Sequence, residues 1–313
     1  MASTRVAAFD CGTNSLRLLI ADVEGGRLVD VLRRTELVRL GHGVDRTGRF
    51  DPEALERTLA VTREYAELVR DAGATRLRFA ATSATRDAAD RDAFLDAVER
   101  IIGVRPETIT GEEEAALSFR GATGAVDSAR PVLVVDLGGG STELVLGDAA
   151  PEQAHSMDVG SVRLTERHRR AESPSEQERE AVRADVRAAL AVSSVDLSRA
   201  RSVVGVAATV LTVTAHALGL RAYDRDALEA TLPLDEVLAA CDDLARLSPA
   251  RAAALPYLRS GREDVIAAGA LIWGEVLRAA SSASPGLDSV TSTAHDLLDG
   301  MALGLGEGTG PAE

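Results

Sequence analysis

Lysine is missing from this chain of 313 residues, so every one of its 35 basic positions is arginine; 49 acidic residues oppose them and the net charge is −14. A field of that sign excludes nonspecific binding to nucleic acid or to an anionic membrane. Any polyanionic ligand must instead be received locally, by particular arginines or by metal ions. No apolar run is long enough to span a bilayer as a helix, and the N-terminus lacks a basic-then-apolar signal, so a cytoplasmic protein is expected. Cysteine is nearly absent: Cys11 and Cys241 form neither a disulfide framework nor a metal-ligand spacing, and both read as small buried hydrophobes. The five histidines, at 42, 155, 168, 216 and 295, show no HxH or HExxH spacing and are assigned no metal. Phe119 and Trp273, the latter the sole tryptophan, read as helix-packing residues.

What is present is a repeat. The segment from Phe9 to Leu18 returns 126 positions later (136 − 10) as Val135 to Leu144, and without gaps Asp10/Asp136, Gly12/Gly138, Ser15/Ser141, Leu18/Leu144 and Asp22/Asp148 coincide. Short apolar runs flank each copy, Val6–Phe9 and Leu18–Ile20 in the first, Val132–Val135 and Leu144–Leu146 in the second. These read as buried strands joined by a tight turn. Glycine in such a turn removes the Cβ that would keep backbone N–H groups from an oxyanion, so each copy reads as a phosphate-binding hairpin. The acidic residue closing the first strand, Asp10 or Asp136, is placed to hold a divalent cation that neutralises the same phosphate.

The repeat organises the whole chain. The first half reads as strands at 5–10, 15–22 and 27–38, a helix at 52–72, a strand at 76–81, a helix at 90–102, a strand at 107–110 and a helix at 112–122. The second half restarts with strands at 131–136, 142–147 and 153–159, with later strands near 202–206 and 287–291. The order βββαβαβα thus occurs twice, which predicts two related α/β domains flanking a cleft, over residues 1–122 and 123–293. A last helix, 294–307, is expected to pack back on the first domain, with 308–313 as a tail.

Five segments in order, Asp10–Ser15, Ala81–Ala88, Thr110–Ala115, Asp136–Glu143 and Asp296–Gly300, resemble the exopolyphosphatase/guanosine pentaphosphate phosphohydrolase family over nearly the whole chain. The resemblance implies a duplicated ribonuclease-H-like fold, as in actin, sugar kinases and heat-shock ATPases, and hydrolysis of a terminal phosphoanhydride with Mg²⁺ or Mn²⁺. It also places the catalytic carboxylate immediately before an alanine, at Glu114. Two departures stand out. The segment similar to the family's third glycine turn, Gly-x-Ala-Gly-Thr, here reads Gly205-Val206-Ala207-Ala208-Thr209, and the sequence stops where longer relatives continue into further helical domains.

Roles follow. Thr110 and Glu113 form a capping box, which accounts for Glu113 structurally, and the resemblance implies Glu114 as general base. Asp136 and Glu143 lie on opposite limbs of the second hairpin, where one can hold metal and the other metal or the attacking water; Asp10 is a third candidate ligand. Thr13, Asn14 and Ser15, and Gly138, Gly139, Gly140, Ser141 and Thr142, supply donors to substrate, and Arg86 a phosphate clamp. Arg17 stands where the second copy has Glu143, a reversal of sign. The expected activity is release of terminal phosphate from inorganic polyphosphate, with short chains preferred. Guanosine pentaphosphate is the alternative substrate, and a homodimer is an allowed assembly. A nucleotide-binding kinase-like or actin-like protein and a non-catalytic polyphosphate sensor are the rivals of another class.

Overall fold

The computed structural model describes residues 3–308 apart from 172, and the chain divides into two compact units. Unit 1 takes in residues up to Gly121 and from Leu297 onward, and unit 2 runs from Ala122 to Asp296.

Unit 1 opens with an antiparallel meander, β1 (Thr4–Cys11), β2 (Ser15–Glu24) and β3 (Arg27–Leu37), followed by α1 (Val44–Thr47), α2 (Pro52–Ala72), β4 (Arg76–Ala81), α3 (Ser83–Asp87), α4 (Arg91–Ile102), β5 (Glu107–Thr108) and α5 (Gly111–Ala125). Local chemistry sets the limits of α2. The Asp51 carboxylate accepts from the N–H groups of Glu53 and Ala54 at 3.1 and 3.0 Å, Pro52 takes the first helical position, and Gly73 ends the helix at φ 69°. The sheet order is β3-β2-β1-β4-β5, with β4 parallel to β1 and β5 parallel to β4.

Unit 2 repeats the plan and adds to it. Its elements are β6 (Val132–Leu137), β7 (Thr142–Gly147), β8 (Pro151–Met157), α6 (Ser161–His168), α7 (Glu176–Ala191), β9 (Ser202–Val206), α8 (Ala207–Ala217), β10 (Ala230–Pro233), α9 (Leu234–Leu244), α10 (Pro249–Ala253), α11 (Ile266–Ala283) and β11 (Ser289–Ser292). In the order β10-β11-β9-β6-β7-β8, the run β8-β7-β6-β9-β11 matches the five strands of unit 1, and β10 is an extra antiparallel edge. This is the duplicated ribonuclease-H-like α/β fold expected from the sequence.

The last helix, α12 (Leu297–Glu307), belongs to unit 1. It begins three residues later than the apolar pattern suggests, because the Ala294 N–H is held by Glu229 Oε1 at 2.7 Å and the His295 N–H by Thr293 Oγ1 at 3.1 Å. Of the expected tail, 309–313 lie outside the described residues.

Strand alternation gives unit 1 two cores. Ala7, Phe9 and Cys11 face one side, with Leu16, Leu18, Phe79 and Phe94, while Val6 and Ala8 face the other, where Leu297, Leu298, Met301 and Leu305 of α12 cover them. Burial pushes the Cys11 thiol well above its ordinary range, in keeping with a packing role. In unit 2, α11 is buried on all sides from Ile266 to Leu277 and carries Trp273 at 0% exposure. A Cβ on Gly205 would lie 2.8 Å from two ring carbons of Trp273, so that glycine serves close packing of strand on helix. Truncating so large a buried side chain to alanine costs about 3–5 kcal/mol.

Candidate active site

The two hairpin turns close identically. Gly12 N–H donates to the Ser15 carbonyl at 3.0 Å, and Gly138 N–H donates to the Ser141 carbonyl at 3.0 Å. A second segment then straps each turn from below. In unit 1, the N–H groups of Val38 and Arg39 donate to the Asn14 carbonyl at 3.1 and 2.9 Å, and Gly41 N–H donates to the Thr13 carbonyl at 2.8 Å. In unit 2, the start of α6 does this work: Ser161 N–H donates to Gly138 O at 3.1 Å, and the N–H groups of Val162 and Arg163 to Gly139 O at 2.8 and 3.1 Å. Arg163 Nε adds a bond to Gly140 O at 2.7 Å. The turn carbonyls are thereby engaged by the protein.

These straps explain two glycines that the gapless comparison passes over. A Cβ on Gly41 would lie 2.2 Å from the Thr13 methyl, and one on Gly160 would lie 2.4 Å from Gly139 O and 2.5 Å from the carbonyl carbons of Gly139 and Gly140. Both are therefore required by close approach to the turn. Their separation is 119 (160 − 41) rather than 126, because β2 and β3 are longer than β7 and β8. The signal existed as Leu40-Gly41 and Val159-Gly160 after the third strand of each half, but it needed a gap.

In unit 1 the turn carries unsatisfied donors. Thr13 and Asn14 are 7% and 8% exposed, yet Thr13 Oγ1 and Asn14 Nδ2 have no hydrogen-bond partner. Buried polar groups are otherwise nearly always paired, so such orphans mark a place for a polar ligand. Thr82 N–H donates to the Cys11 carbonyl at 3.1 Å, which sets the Thr82–Thr85 run beside the same turn, and Thr85 Oγ1 is a third buried polar atom with no partner.

Three consecutive glutamates begin α5, and burial separates them. Glu112 is exposed, Glu113 is half-buried and Glu114 is buried. Glu113 N–H donates to Thr110 Oγ1 at 3.1 Å, as a capping box requires, but its carboxylate pairs with Arg78. The box is thus half formed, because an arginine out-competes the neutral N–H of Thr110 for the charge. Glu114 Oε2 instead accepts from Arg86 Nη1 at 2.7 Å, and Arg86 Nη1 also donates to the Ile109 carbonyl at 3.1 Å. Burial raises the Glu114 pKa, Arg86 opposes that rise, Asp10 adds to it and Arg17 opposes it. The carboxylate therefore sits within electrostatic reach of both residues that close the first hairpin. Arg86, expected as a phosphate clamp, is placed here as the partner of Glu114.

At the cross-strand position the two copies diverge. Asp10 lies opposite Arg17, whose Nε and Nη2 approach Asp10 Oδ2 at 2.7 and 2.6 Å. Asp136 lies opposite Glu143, both buried, and Ser156 Oγ donates to Glu143 Oε1 at 2.7 Å. The Thr142 hydroxyl donates to the Val159 carbonyl at 2.6 Å and thereby ties β7 to the strap. Among the described residues, no group of three or more His, Cys, Asp or Glu side chains comes together in a ligating array. At the third turn, Ala207 takes a positive φ of 71° where an L-residue is strained.

This arrangement has close relatives. The sequence matches the Ppx/GppA phosphatase family over residues 19–303. It is 46% identical to Exopolyphosphatase 2 of Mycobacterium tuberculosis, over 97% of this chain and 99% of that protein. Among solved structures, an exopolyphosphatase-like protein superposes with a TM-score of 0.95 at 42% identity, covering 99% of both chains. The Aquifex aeolicus member of the Ppx/GppA family superposes with a TM-score of 0.81 at 27% identity, covering 99% of this chain and 100% of that one. Matches of this extent take in both units, both turns and the Glu114 helix, and the chain belongs to the Ppx/GppA phosphatase family.

Proposed function

We propose that the chain is an exopolyphosphatase that hydrolyses the terminal phosphoanhydride of inorganic polyphosphate. The observation that carries the reading is Glu114: a buried carboxylate of raised basicity, held by Arg86 and electrostatically coupled to Asp10 and Arg17 beside a turn with orphaned donors. The likeness to Exopolyphosphatase 2 supports the choice of substrate.

In the proposed reaction a water oxygen forms the new bond to the terminal phosphorus, the bridging P–O bond breaks, and Glu114 takes the water's proton. Arg86 keeps the carboxylate ionised enough to accept that proton despite its burial. Within unit 1, Thr13, Asn14 and Ser15 bind phosphate oxygens through hydroxyl, amide and backbone donors, and within unit 2 the backbone of the Gly138–Ser141 turn is held in place by its strap for the same purpose.

Asp136 and Glu143, a buried pair of hard oxygen donors on adjacent strands, suit Mg²⁺ or Mn²⁺, ions that are commonly held by one or two carboxylates together with substrate phosphates. Such an ion would neutralise charge on the phosphate. Asp10, the third candidate ligand, is ion-paired to Arg17 across the first hairpin.

A preference for short chains follows from charge, since a net −14 repels each additional phosphate that is not gripped by a turn. The test is phosphate release from short polyphosphate, long polyphosphate, guanosine pentaphosphate and ATP in parallel. Short polyphosphate is expected to rank first; guanosine pentaphosphate or ATP ranking first would replace this reading.

A further inference from the structure

The strap of the first turn carries a strained residue. Arg39 takes φ 52°, in the left-handed region where the Cβ of an L-residue crowds the following carbonyl oxygen. Among the described residues, only Ala207 shares such a value without being glycine. The backbone around Arg39 is fixed on every side. Val38 and Leu40 are fully buried, the Val38 carbonyl accepts from Arg57 Nε at 2.9 Å, and the Arg39 N–H donates to the Asn14 carbonyl. Glycine or asparagine would hold this backbone with less strain, so the strap itself does not call for an arginine. A strained conformation kept at a ligand site points to use of the side chain.

Charge around the turn supplies that use. Thr13 Oγ1 and Asn14 Nδ2, buried and without partners, mark the place of a polar ligand. Arg17 is paired with Asp10 and Arg86 with Glu114, so both charges are balanced before any phosphate arrives. In a chain of net charge −14, an anion at this turn needs a further cation close by. Arg39 stands two residues before the strap glycine Gly41, and the matching place before Gly160 is Asp158 (41 − 39 = 160 − 158 = 2). The reversal of sign seen at Arg17 and Glu143 thus recurs on the straps. Unit 1 has arginine at both positions, and unit 2 has a carboxylate at both.

We propose that Arg39 is a phosphate-binding residue, its guanidinium donating to oxygens of the phosphate that Thr13 and Asn14 receive. The proposal rests on the phosphohydrolase reading above and makes the first turn the anion-binding one. An arginine side chain is long enough to pass from a backbone bonded to Asn14 to a ligand at the Asn14 amide, and its planar fork matches two phosphate oxygens.

The test is calorimetric titration of the full chain, at fixed Mg²⁺, with imidodiphosphate, whose P–N–P bridge resists hydrolysis; phosphate release from short polyphosphate is measured beside it. Arg39→Gly is expected to weaken imidodiphosphate binding at least about tenfold, the loss of a charge-assisted contact, without lowering the melting temperature. Arg39→Asn, also at ease in the left-handed region, is expected to behave alike. Arg39→Lys keeps the charge, loses the fork and is expected to fall between these and wild type. Binding that is unchanged in Arg39→Gly and Arg39→Asn would overturn the inference, as would weaker binding matched by a lowered melting temperature in both, or no binding by wild type. Binding that weakens as expected in a protein that releases no phosphate from polyphosphate would support Arg39 as a phosphate-binding residue and overturn the proposed activity instead.

Discussion

Gly160→Ala isolates the contribution of the strap from that of the turn. The glycine has φ −141° and ψ 162°, extended values open to any residue, so the substitution brings no backbone strain of its own. What it brings is a carbon 2.4 Å from Gly139 O and 2.5 Å from the carbonyl carbons of Gly139 and Gly140, where ordinary contact begins at 3.4 Å. All three neighbours are backbone atoms, so no side chain can swing away, and the turn must retreat by about 1 Å. Overpacking of that kind costs about 1–3 kcal/mol of stability. The kinetic effect is larger in consequence, since displacing a binding element by about 1 Å can lower turnover about 10²-fold. Urea denaturation and phosphate release measured on the same preparations read both effects. Gly286→Ala is the control, because a Cβ there meets nothing within 4 Å and the backbone is not left-handed; it is expected to be neutral. Normal turnover in Gly160→Ala, with a melt that matches the control, would refute the claim that the strap positions the turn.

Gly41→Ala is expected to damage the first turn in the same way but to be partly rescued by Thr13→Ser, since the closest obstruction is the Thr13 methyl; a double variant no better than Gly41→Ala would contradict this in a turnover assay. Glu114→Gln is expected to lower kcat by about 10²–10⁴-fold, the usual loss for a general base, whereas Glu113→Gln stays within several-fold of wild type. Because the folded-state pKa of Glu114 is raised, its contribution to stability is present at low pH and lost as pH rises through that pKa, so Glu114→Gln should melt above wild type at pH 8 and alongside it near pH 4. Arg86→Gln removes the charge that opposes the rise, and the acid limb of the kcat/KM profile should move to higher pH; a shift downward would reverse the assignment. Asp136→Asn and Glu143→Gln are expected to raise the Mg²⁺ concentration for half-maximal rate, checked by metal titration at fixed substrate.

Much of this was legible in the sequence because the repeat supplies an internal alignment. Apolar runs ending at Asp10 and Asp136, followed by glycine two residues on, locate strand, turn and strand in each unit, and the Asp51-Pro52 start and Gly73 stop fix α2 to the residue. The boundary of α12 was less legible, since Thr293–Asp296 continue an acceptable helical composition and only side-chain capture of their N–H groups by Glu229 and Thr293 holds them out of the helix. Tertiary partners lay beyond reach. Nothing in a segment 28 residues upstream (114 − 86) tells that Arg86 meets Glu114, and the fate of Glu113 turns on Arg78, a strand residue whose facing is settled by sheet register. The third turn was read for its missing glycine at Ala208, whereas the structure puts the strain one residue earlier, at Ala207.

Duplication gave both units the same backbone cradle, and a single cross-strand position then set them apart. Asp10 opposite Arg17 is a pair of opposite charges, which contributes to the sheet; Asp136 opposite Glu143 is a pair of like charges, which opposes it. Burial sharpens the second case, because Asp136 and Glu143 are 7% and 1% exposed and water screens their repulsion poorly. One Ser156 hydroxyl bond offsets part of that cost. The first turn, neutralised by Arg17 and neighboured by Glu114, is suited to bring a phosphate and a base together. The second, with two carboxylates, is suited to a cation. Exchanging the two charges, in the double variant Arg17→Glu with Glu143→Arg, is therefore expected to abolish phosphate release, and turnover retained by that variant would refute separate roles for the two cross-strand positions.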